Sequence, residues 1–92
     1  MGLTQRRLFA ITDELAELAE EEASLLAELN HSRHLADDIE RDAVLSGGQF
    51  DRLEAAGSRA DVARFERRLA DLERRRAKLH ATRTKLLSKL ED

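Results

Sequence analysis

The chain has 92 residues, 38% of them charged, a formal net charge of −3, three Phe, and no Pro, Cys, Trp or Tyr. So short a chain forms one domain at most and buries a modest share of its surface alone. The lack of cysteine excludes a disulfide framework and thiolate metal ligands, and no stretch reaches membrane-spanning length.

Apolar residues recur at steps of three and four from Leu8 through Ile11, Leu15, Leu18, Leu25, Leu29, Ala36 and Ile39 to Ala43, interrupted by Glu22 and Ser32. This heptad seam predicts a first helix over about residues 4–45. Ala16, Ala19, Ala23 and Leu26 widen its apolar arc beyond what a two-helix contact needs. His31, His34 and Asp38 stand at helical steps, and Glu28 with His31 spells the E-x-x-H that resembles carboxylate-bridged di-iron bundles. The heptad register places them opposite the seam, facing water, so no metal site is expected.

The stretch "SGGQFDRLEAAGSRAD" holds three of the four glycines and predicts a connector over about residues 46–58. Phe50 to Ala56 would form a single helical turn within it, and Ser58 with Asp61 reads as a capping box opening a second helix. Residues 45–49, "LSGGQ", resemble the signature pentapeptide of ABC-type ATPases, which implies binding of a γ-phosphate by the Ser46 and Gly47 amides. No G-x-x-x-x-G-K-[ST] accompanies it, so a glycine-closed helix end is the expected reading and no cofactor is predicted. Asp51, Glu54 and Ala56 are similar to the acidic fingertip of coiled-coil factors that enter the secondary channel of bacterial RNA polymerase. That similarity makes Asp51 and Glu54 candidate tip contacts, although the docking domain of those factors has no counterpart here.

A second seam runs through Val62, Phe65, Leu69, Leu72, Leu79, Leu86 and Leu90, interrupted at Arg76 and Arg83, and predicts a helix over about residues 59–90. Ala63, Ala70 and Ala77 widen its arc as well. The block Arg74, Arg75, Arg76 and Lys78 lacks interleaved aromatics, and the acidic first helix is placed to neutralise it, so helix pairing rather than nucleic-acid binding is expected.

Charge orders the two helices. Asp13 to Glu28 contains seven acids and no base, and Arg74 to Lys89 seven bases and no acid. A fold-back centred near Arg52 lays one block on the other and brings the seam interruptions Glu22 and Arg83 together as a register pair. The expected fold is therefore all-α: residues 1–92 as a single antiparallel two-helix coiled-coil hairpin. Its wide Leu/Ala face would complete a four-helix bundle, either by homodimerisation or with a helix of another protein.

The function this implies is a non-enzymatic interaction module, an adaptor or regulator in the cytoplasm, with no catalytic residue and no membrane partner. The alternative is a transcription-machinery regulator that binds RNA polymerase or a sigma factor through the acidic tip or the basic helix. Nucleotide binding at "LSGGQ" ranks third. Two-helix architecture is also similar to that of type VII secretion substrates and of actinobacterial anti-sigma factors, and the Arg/Ala/Leu/Glu bias suits a high-GC bacterial genome. The W-x-G turn of the former is absent, no motif of the latter is intact, and no family is assigned.

Overall fold

A computed structural model describes residues 2–91, in which two helices pack against each other as a hairpin: α1 (Leu3–Ser46) and α2 (Gln49–Glu91). Gly2 opens α1. Its carbonyl accepts the Arg6 N–H at 3.1 Å, and its own N–H donates to the Gln5 side-chain oxygen, also at 3.1 Å. A first-turn donor is thereby satisfied in the manner of a cap.

The expected connector over 46–58 shrinks to Gly47 and Gly48. Gly47 adopts φ of +66° and its N–H donates to the Ala43 carbonyl at 2.9 Å, which closes α1 in the left-handed conformation that glycine accepts without a Cβ penalty. Gly48 then begins α2 by accepting the Arg52 N–H at 3.2 Å. The Ser46 hydroxyl accepts the Gly48 N–H at 3.2 Å and donates to Asp51 Oδ2, tying the end of α1 to the first turn of α2. Asp51 also places a negative charge near the positive end of the α2 dipole.

Helix α2 starts ten residues before the expected position because the second seam continues backwards. Ala55 lies one heptad ahead of Val62, and both are buried. Extending α2 to bury Ala55 outweighs the presence of Gly57, which costs about 1 kcal/mol relative to Ala in a helix interior. Ser58 and Asp61 therefore lie inside α2, where Asp61 pairs with Arg64 in place of the expected capping box.

The helices form two compact units. In Met1–Ala23 with Ala70–Asp92, Ile11, Leu79 and Leu86 are buried, and Leu8, Leu15 and Leu18 pack against them. In Ser24–Leu69, Leu29, Ala36 and Val62 form the core with Phe65 and Leu69 against it, and the Leu29 side chain is fully buried. Each such leucine contributes roughly 1.5–3 kcal/mol when removed from water.

The turn and the early start of α2 make opposite demands on glycine. A Cβ at Gly57 would meet nothing within 4 Å. Gly57→Ala is expected to raise the unfolding free energy in urea by about 0.5–1 kcal/mol. Gly47→Ala should lower it by about 1–2 kcal/mol, because an L-residue is strained at positive φ. Destabilisation by Gly57→Ala would count against α2 beginning at Gln49.

Candidate interaction face

Glu22 and Arg76, one polar interruption from each seam, meet: Arg76 Nη1 donates to Glu22 Oε2, with the Arg76 side chain 35% and that of Glu22 19% exposed. The expected register pair was Glu22 with Arg83. Arg83 lies seven residues further along α2, and the tight turn draws α2 back by that one heptad, so Arg76 takes its place. Arg76 Nε is buried without a hydrogen-bond partner, so the pair offsets only part of its own desolvation.

Ion pairs flank the seam. Arg75 donates through Nε and Nη2 to Glu14 Oε1 at 3.0 and 2.6 Å. In the unit that contains the turn, Arg59 spans two carboxylates: Nε to Glu40 Oε1 at 2.5 Å, Nη2 to Glu40 Oε2 at 2.8 Å, and Nη2 to Asp37 Oδ1 at 2.5 Å. The hydrogen bond from Arg59 holds the Glu40 carboxyl below its usual range, and the same bonds push the Arg59 guanidinium up. Arg74 pairs with Asp71. Three of the four cations in the basic block are therefore committed to carboxylates, and Lys78 is exposed.

The unit of Met1–Ala23 with Ala70–Asp92, which does not contain the turn and is called the outer unit below, carries an open groove of about 310 Å³ lined by Leu8, Phe9 and Thr12 of α1 and by Arg83, Leu87 and Leu90 of α2, with Gln5 at its edge. Phe9 is 58% exposed, Leu90 48% and Leu87 37%. These aromatic and leucine side chains were not among the predicted face residues. Phe9 and Leu87 each follow a seam residue, Leu8 and Leu86, but that they share one side of the pair is set by the packing. Ala16, Ala19, Ala23, Leu26 and Ala77 are exposed, whereas Ala63 and Ala70 are half-buried at the seam's border.

At the turn, Val44, Leu45, Phe50 and Leu53 are strongly exposed. Asp51 is half-buried and engaged by Ser46, so of the two candidate tip contacts only Glu54 projects into solvent. The Gly47 and Gly48 amides of "LSGGQ" are occupied by Ala43 and Ser46. His31 and His34 are exposed, and Asp38 pairs with Arg41 at 3.5 Å. Among the described residues no three His, Cys, Asp or Glu side chains are grouped to hold a metal ion, and no helix is long and apolar enough to cross a membrane.

Two measurements test this electrostatic arrangement. A double-mutant cycle on Glu22→Gln and Arg76→Gln is expected to show a coupling of about 1 kcal/mol, and the cycle on Glu22→Gln and Arg83→Gln none. Coupling in the second cycle alone would restore the displaced register. The second measurement is of pH dependence. A carboxyl whose folded pKa lies below its unfolded value binds fewer protons when folded, so the Glu40 contribution is complete above the ordinary glutamate range and disappears as pH falls through the lowered value. Urea titrations from neutral to acidic pH should show a shallower loss of stability in Arg59→Met than in the parent chain.

Compared with protein-family models, with curated proteins and with solved structures, the chain matches none.

Proposed function

We propose that this chain is a non-enzymatic protein–protein interaction module, an adaptor or regulator, in which the hairpin is the scaffold and one apolar face is the working surface. The observation that carries this reading is the groove of Leu8, Phe9, Leu87 and Leu90, continued along α1 by exposed Ala16 and Ala19. Large apolar side chains left in water beside small ones offer another helix both anchors and close approach, the arrangement by which four-helix bundles are completed. The partner is accordingly helical, either a second copy of this chain or another protein. Its docking buries aromatic and leucine surface at about 25 cal/mol per Å² before the costs of association.

Replacing Phe9 and Leu87 together by Glu tests the reading. Both side chains are more than a third exposed, so helicity and thermal midpoint should stay within a few degrees of the parent's, by roughly ΔΔG below 1 kcal/mol. Association, whether with itself in sedimentation or with a partner recovered on the parent chain, should be lost. Undiminished association by the double variant would move the working surface elsewhere.

A further inference from the structure

The groove of the outer unit is lined by one charged side chain and no acid: Arg83 stands among Leu8, Phe9, Thr12, Leu87 and Leu90. Among the described residues three cations are half-buried, Arg59, Arg76 and Arg83. Arg59 pairs with Glu40 and Asp37, and Arg76 with Glu22, whereas no carboxylate of the described residues pairs with Arg83.

The cause is positional. Arg83 lies one heptad beyond Arg76 on α2, and Leu15 stands one heptad before Glu22 on α1. The register that gives Arg76 its acid therefore gives Arg83 a leucine. The other α1 residues at the groove, Gln5, Phe9 and Thr12, are not anionic either. A guanidinium half withdrawn from water and bordered by leucine and phenylalanine loses hydration without gaining a counter-charge.

We propose that the groove receives a helix of another protein whose apolar stripe carries one carboxylate, from Glu or Asp, placed to pair with Arg83 as Glu22 pairs with Arg76. This rests on the interaction-module reading and specifies the chemistry of its partner.

Charge and shape both select this occupant. The one ion in the lining is positive, so its complement is an anion. Phe9, Leu87 and Leu90 surround it with apolar surface, which a wholly acidic segment would leave without a match. The complement is thus an acid set within leucine-like side chains. The groove is open, whereas a site for a small amphiphile encloses most of its ligand. From Phe9 to exposed Ala19 the surface runs for about 15 Å at 1.5 Å per residue, the reach of a helix of roughly three turns. Such a pair adds discrimination more than affinity. A helix with Gln at that place covers Arg83 and leaves it unpaired, and one with Lys opposes like charges.

Three amphipathic helical peptides of about 18 residues test this. They share one leucine stripe and differ at a single central stripe position, which is Glu, Gln or Lys; fluorescence anisotropy measures their affinity for the full chain. The Glu peptide is expected to bind about tenfold more tightly than the Gln peptide, and the Lys peptide least. Arg83→Gln removes no internal ion pair, so its helicity and thermal midpoint should match the parent's, while the Glu and Gln peptides become equal in affinity. Arg83→Glu should invert the order in favour of the Lys peptide. Phe9→Glu with Leu87→Glu should abolish binding of all three.

Equal affinity of the Glu and Gln peptides for the parent chain would overturn the inference, as would a preference for Glu that survives Arg83→Gln. If binding in either case still required Phe9 and Leu87, the module reading would stand. Binding retained by the Phe9, Leu87 double variant would overturn both. Failure of all three peptides to bind would also overturn the inference. Light scattering of the parent chain completes the test: a dimer that hides Phe9 and Leu87 from the peptides would assign the groove to a second copy and exclude the acidic helix.

Discussion

The left-handed Gly47 is the constraint on which the rest of the structure depends. Because α1 closes there and α2 begins at Gln49, the connection has almost no slack and cannot absorb a shift of one helix along the other. Ser46 reinforces it by engaging both the Gly48 amide and the Asp51 carboxylate across the turn. Arg59 meets Glu40 and Asp37 just beyond the turn, and in the outer unit Arg76 meets Glu22. A heptad seam alone would not impose this. Sliding one helix by seven residues returns seam positions to seam positions, so the apolar pattern is satisfied in more than one register.

Polar residues within the seam narrow that degeneracy at some expense of stability. Glu22 and Arg76 occupy places that leucine would fill with greater gain, and Arg76 Nε is left without a partner. Paired, they lose little; a shift of one heptad in one direction would set Glu22 against Leu69 without a cation, whereas in the other it would set Glu22 against Arg83, a register that only the turn excludes. The flanking pairs of Arg75 with Glu14 and Arg59 with Glu40 are half-exposed, and each adds a modest amount. Their larger effect comes from being gathered by sign, acids on α1 and bases on α2, which favours the antiparallel pairing over a parallel one.

The pairing of α1 with α2 leaves unequal surfaces. In the outer unit one flank carries the Glu14–Arg75 pair, while the opposite flank is the open groove of Phe9, Leu87 and Leu90. The basic block that could suggest a nucleic-acid surface is largely spent on carboxylates of this chain. The "LSGGQ" amides that could suggest a phosphate site are spent on the turn. The groove beside Phe9, Leu87 and Leu90 is lined mainly by apolar side chains, and the proposed function attaches to that surface.

Helicity, the two seams and their antiparallel pairing were legible in the sequence, because period and charge sign are properties of residue order. Among the described residues, eight of the nine buried apolar ones lie on the two predicted seams; the ninth, Ala55, was hidden in a stretch read as a connector. Gly57 and the apparent Ser58 cap made that stretch look like a break, and local propensity of about 1 kcal/mol is a weak signal beside the tertiary gain of continuing the seam. The partner of Glu22, the length of the turn and the groove at Phe9 and Leu87 were decided only by the tertiary structure. The physical reason is the seven-residue repeat itself: it states which side chains face inward but is blind to a shift of one heptad, and only the closed turn, by fixing where α2 starts, selects among the registers that the repeat permits.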